Sequence, residues 1–161
     1  MTPHLHEISS DHNLLVSLTK TVSCFDCSAY FPNHLGLAQY EQKKIIDEFQ
    51  HALTDHLKNE FNDIEWQTEY SPEINIRDSI DIVGTVGDLF IVIELDKHRA
   101  DQVSKKFLSR TAIMAGKKVI YISLCYPGTS RMNPNECVKY FSYCSTISKM
   151  IGNEYAGLII Q

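Results

Sequence analysis

The stretch that most constrains the fold is residues 90–95, FIVIEL, in which Glu94 is the one polar residue. Side chains of a strand alternate between the two faces of its sheet, so a run apolar on both faces predicts a central strand covered on both sides. The pattern on either side agrees. Over residues 36–61 the positions Ile45, Ile46, Phe49, Ala52, Leu53, Leu57 and Phe61 recur at helical spacing, with His56 as a core-edge histidine on the same stripe. Residues 63–70, DIEWQTEY, alternate Ile64, Trp66 and Thr68 with polar groups, as a half-buried strand does. Pro72 interrupts. Residues 79–86 and 89–96 then read as two strands joined at Gly87 and Asp88 by a tight turn.

The spacing next predicts a helix over 98–115, with Ala100, Val103, Phe107, Thr111 and Met114 inward and Gly116 at its end. A buried strand follows over 118–125. Asn133 and Pro134 open a further helix, with Val138, Phe141, Cys144, Ile147, Ser148 and Ile151 inward and Gly152 closing it. Residues 155–160 form the last strand. The expected fold is α/β, a mixed central sheet flanked by helices. It forms one domain over 1–161: an extension over 1–35 with a short helix near 11–20, a core over 36–125, and a C-terminal helix and strand over 126–161. The closing GLIIQ is either an integrated strand or part of a subunit contact.

The composition, 43% apolar and 22% charged, excludes a disordered chain, and no apolar run is long enough to span a bilayer. The first 20 residues lack the pattern of a signal peptide, so a cytoplasmic protein is expected. Five cysteines, an odd number, point to reduced thiols. Cys24 and Cys27 have zinc-like spacing, but a structural site needs two more ligands and no second such pair exists; incidental thiols are the simpler reading.

The net charge of −5 is unevenly spread. Residues 1–96 carry −12, residues 97–118 carry +6, and the remainder +1. A basic block after an acidic cluster could place phosphate-binding groups beside a metal site, or could be a solvated helix face.

Asp81 and Glu94 sit in segments otherwise given to Ile, Val and Phe. Lone carboxylates in covered strands cost several kcal/mol, and two side by side also repel. A hard divalent cation removes both problems. Alternation along the strand adds Asp96 to the face of Glu94. The plainer alternative has both acids at strand ends, touching solvent or pairing with Arg77 or Arg99.

The stretch RDSIDIVG, a short hairpin, and then FIVIELDKHRADQVSKKFLSR resembles the PD-(D/E)XK nucleases, a superfamily that includes many type II restriction endonucleases. The resemblance covers about residues 40–125 and includes the order of elements, αβββαβ. It implies Asp81 and Glu94 as metal-binding acids and Mg²⁺, with Mn²⁺ as substitute, as cofactor. It also implies metal-assisted hydrolysis of double-stranded DNA rather than action on a small-molecule substrate. The sequence departs from the pattern where the family has its lysine, two residues after the second acid. That position holds Asp96, so either Asp96 is a third polar and metal-binding member of the site, or a bulge brings in Lys97. A Glu on the first helix often touches the metal shell in this family; Glu48 is preferred here over Glu41. Arg99, Gln102, Lys106 and Arg110 form a stripe on the following helix that the resemblance assigns to DNA contact. His98 reads as a surface residue.

Three functions remain open: a restriction-type endonuclease, expected to act as a homodimer on a palindrome; a repair or nicking nuclease or a catalytic subunit; and a non-cleaving binding module.

Overall fold

The computed structural model describes residues 1–71 and 78–161; Pro72 and Arg77, both used in the sequence reading, lie outside them. The strands are β1 (Pro3–Ile8), β2 (Glu65–Tyr70), β3 (Ile80–Val86), β4 (Leu89–Lys97), β5 (Lys118–Tyr126) and β6 (Glu154–Ile160). The helices are α1 (Asn13–Ser23), α2 (Gln39–Glu60), α3 (Ala100–Ile113) and α4 (Pro134–Met150). The strands form one sheet in the order β1-β6-β5-β4-β3-β2. β4, β5 and β6 run parallel because α3 and α4 carry the chain back between them, whereas β2, β3 and β1 pair antiparallel with their neighbours.

Both faces are covered, as the FIVIEL run requires. Ile91, Ile93 and Leu95 of β4 point into a core shared with Leu15, Leu18 and Val22 of α1 and Phe49, Leu53 and Leu57 of α2. Val92 points the other way, to Val103 and Phe107 of α3 and Phe141 and Cys144 of α4. The turn between β3 and β4 has Gly87 at φ 55°, a left-handed conformation that glycine adopts without penalty.

The N-terminal segment is not an extension. α1 contributes three fully buried side chains, and β1 pairs with β6 at the sheet edge. β1 escaped the sequence reading because PHLHEI buries little of itself and its pairing shifts between Leu5 and Glu7. Its proline stands at the first position, where an edge strand tolerates it. β6 lies between β1 and β5, so the apolar C-terminus is an integrated strand. His56 sits at the core edge against the Phe25 ring, as its stripe position implied.

α4 is rotated from its expected phase. Ile147 and Ile151 are about half exposed, and Cys137 and Ser145 are buried in their place. Small side chains let α4 approach the sheet, and Phe141 lies over Gly157, where a Cβ would come 2.3 Å from its ring. Among the described residues no helix is long and apolar enough to cross a membrane.

Gly157 pairs with Ser123, which pairs with Glu94, so this packing shares a row of the sheet with the acids. Gly157→Ala should lower stability by about 1–3 kcal/mol through overpacking, read as an earlier urea midpoint at unchanged slope.

Candidate functional site

The β3–β4 ladder runs from Val86 opposite Leu89 to Ile82 opposite Ile93. Just past its last pair the Asp81 side chain takes over. Asp81 Oδ2 accepts the Leu95 N–H at 2.7 Å, and the Asp81 carbonyl accepts a hydrogen bond of 2.5 Å from Gln50 Nε2 on α2. Gln50 is buried and also donates to Glu69 Oε1 at 3.2 Å. Glu69 has φ 52°, unusual for a residue other than glycine, and its Oε2 accepts the Ser79 hydroxyl at 2.6 Å. The strand ends around Asp81 are thus tied together by side chains.

β4 pairs with β5 without a shift as far as Lys97 opposite Tyr126. Alternation therefore holds to the end of the strand. Glu94 and Asp96 face α3, while Lys97 lies on the α2 side with its Nζ 3.3 Å from Gln42 Oε1. The bulge that would have swung Lys97 toward Glu94 does not form. Glu94 is fully buried and Asp96 only 4% exposed.

Two cations from α3 compensate these acids. Lys106 Nζ lies 3.0 Å from Asp81 Oδ2, 2.8 Å from Glu94 Oε2 and 3.4 Å from Asp96 Oδ1. It also donates to the Leu95 carbonyl at 3.0 Å. Arg110 Nε donates to Glu94 Oε1 at 2.7 Å, and its Nη1 pairs with the exposed Asp78 at 3.2 Å. The three carboxylates predicted to share a face do converge, but around a lysine.

Three acids face two cations, Lys106 and Arg110, so one acid has no base of its own. Burial, reinforced by Asp81, pushes Glu94 up to about 8 despite Lys106 and Arg110. Burial also raises Asp96 to about 6, with Lys106 as the main opposing influence. Burial would depress Lys106, but the three carboxylates outweigh it and hold the ammonium above its ordinary range.

The donor atoms are oxygens, the type that ligates hard divalent cations. Asp81 Oδ2, Glu94 Oε2 and the Leu95 carbonyl are oxygens from two strands aimed at one point. Asp96 Oδ2 is buried beside them without a hydrogen-bond partner among the described residues. Among the described residues no group of three or more Asp, Glu, His or Cys side chains is placed to hold a metal ion. Asp81 and Lys106 each keep about a fifth of their side-chain surface exposed. Solvent reaches Asp81 through a cleft of about 390 Å³ between α2 and the sheet, lined by Gln42, Lys43, Gln50, Lys97 and Tyr126.

Other predicted residues lie elsewhere. Glu48 is on the exposed side of α2, paired with Lys44 at 3.6 Å, so Gln50 rather than Glu48 is the α2 residue that reaches Asp81. The α3 stripe divides. Lys106 and Arg110 turn inward, Arg99 pairs with Asp101 at the start of the helix, and Gln102 is half-buried. His98 is half-buried rather than on the surface, and burial lowers its pKa. Cys24 is exposed, whereas Cys27 is buried with Sγ 3.6 Å from the Phe25 carbonyl.

Arg110 left a sequence signal. Val103, Phe107, Arg110 and Met114 are spaced as one buried stripe, and a cation on such a stripe demands a buried anion. Gln50 likewise falls between Ile46 and Leu53 on the apolar side of α2. No sequence signal marks Glu69.

Compared with protein-family models and with curated proteins, the chain gives no match. The functional reading therefore rests on the site itself.

The raised acids fix a pH dependence. An acid whose pKa rises on folding contributes stability that is complete below its ordinary value, 4.5 for Glu94, and is lost as pH rises through about 8. Without divalent cations, stability should fall by roughly 2–4 kcal/mol between about pH 5 and 8. Glu94→Gln should flatten that fall, as read by urea unfolding across pH in EDTA; an equally steep fall in the variant would place the proton elsewhere.

Proposed function

We propose that the protein is a metal-dependent DNA endonuclease whose cation-binding centre is Asp81, Glu94 and the Leu95 carbonyl, with Asp96 as its third acid. The observation that carries this reading is the convergence of three hard oxygens from β3 and β4 on a single buried point. A purely structural ion pair needs one acid for each base, whereas this cluster has an acid in excess. When bound, Mg²⁺ or Mn²⁺ supplies a water of lowered pKa and stabilises charge developing on a phosphoryl group.

The remaining roles belong to the chain. Arg110 fixes the rotamer of Glu94 through its 2.7 Å bond, and the Leu95 N–H fixes Asp81. Asp96 Oδ2, unpartnered and on a carboxyl raised to about 6, is the atom suited to take a proton near neutral pH. A backbone phosphate held by Lys43 and Lys97 in the α2 cleft meets the centre at Asp81, the one acid of the three that lines that cleft. This replaces the α3 stripe as the principal contact, because Lys106 and Arg110 are committed to the acids. Sequence-specific cleavage of both strands calls for two copies related by a twofold axis; a single copy nicks or serves a larger complex.

The specific observation favouring a second reading is that Lys106 already occupies the convergence point. On that reading the protein binds DNA without cutting it, and the lysine permanently replaces the metal.

Plasmid and phage DNA incubated with the protein in Mg²⁺ or Mn²⁺ should give discrete fragments, absent in EDTA. Asp81→Ala and Glu94→Gln should each reduce cleavage by about 100-fold or more. Folded protein that retards DNA on a gel yet cuts none of it would establish the non-cleaving reading instead.

A further inference from the structure

We infer that Lys106 is a tethered competitor for the cation position, so that a divalent ion enters the centre only by displacing the ammonium. The inference rests on the proposed reading of the cluster as a cation site and adds how that site is kept closed.

The geometry leaves little room for both. Lys106 Nζ touches Asp81 Oδ2 at 3.0 Å, Glu94 Oε2 at 2.8 Å and the Leu95 carbonyl at 3.0 Å, which are the oxygens a cation would need. An ammonium is a compact charge on a flexible four-carbon stem, able to withdraw without moving its helix. Arg110 differs. Its planar guanidinium bonds the far oxygen, Glu94 Oε1, and also holds Asp78, so it stays while Lys106 moves.

Lys106 with Arg110 matches two ionised acids, whereas a divalent ion with Arg110 matches three. Exchange also gives Lys106 somewhere to go. Its side chain already keeps 22% of its surface exposed. Without a divalent ion, the lysine spares the protein three bare buried acids. The arrangement thereby keeps the fold intact and the site inert until metal arrives.

The test is Mn²⁺ binding to the full chain, followed by loss of the free-ion paramagnetic signal, for wild type, Lys106→Met and Asp81→Asn. Removing the competitor should tighten Mn²⁺ binding roughly ten-fold or more, and Asp81→Asn should abolish it. Lys106→Met should also melt lower than wild type in EDTA and regain its stability with Mn²⁺. Should that variant fail to fold, wild type supplies a second measurement, the rate of Lys106 acetylation read by mass spectrometry with and without Mn²⁺. Displacement predicts several-fold faster labelling with the metal. Unchanged or weaker Mn²⁺ affinity in Lys106→Met, or labelling that ignores Mn²⁺, overturns the competition while leaving the cation site standing. Absence of binding in every variant overturns both.

Discussion

Lys106 reaches from α3 into a pocket where three carboxylates would otherwise face one another without water. That contact governs the arrangement around it. Glu94, fully buried on a central strand, is met there by Lys106 and Arg110, and α3 cannot rotate about its axis without withdrawing both. The side of α3 turned to the sheet is therefore set by charge as well as by Val103 and Phe107. The end of β3 is set in the same way, because Asp81 binds the Leu95 N–H in place of a further ladder pair.

The position of the cluster follows from the topology. β4 and β5 run parallel and α3 carries the chain between them, so the C-terminal half of β4 meets the body of the returning helix. Open α/β sheets tend to bind ligands outside the carboxyl ends of their strands, and Asp81, Glu94 and Asp96 gather at that end of β4. On the opposite side of the strand, Gln50 and Lys97 line the cleft by which solvent reaches Asp81. One strand thus has a sealed, charged side and an open, polar side, joined at Asp81.

Much of this was legible in the residues. The FIVIEL run specified a covered central strand, and period changes located the helices and strands after residue 36 to within a few positions. The convergence of Asp81, Glu94 and Asp96 followed from strand alternation alone. β1 was not legible, because an edge strand of largely exposed residues has no apolar alternation to read. The phase of α4 was misread because Ile147 and Ile151 are more apolar than the Cys137 and Ser145 that pack inward; small size, not hydrophobicity, decided the contact. Within the site, basic residues on α3 were read as partners for phosphate. The buried acids are stronger claimants, since an uncompensated buried charge costs far more than a solvent-exposed contact provides. On α2 only Glu41 and Glu48 were weighed, because charge suggests function, whereas burial and reach favour the amide of Gln50.

Asp81, Glu94 and the Leu95 carbonyl are the proposed divalent-cation site. Its most direct test is an anomalous-difference map from crystals of the protein grown with Mn²⁺. The proposal predicts one strong peak within coordinating distance of Asp81 Oδ2, Glu94 Oε2 and the Leu95 carbonyl, with Lys106 Nζ withdrawn from all three. A map with Lys106 still seated among the three acids and no peak beside them would contradict it.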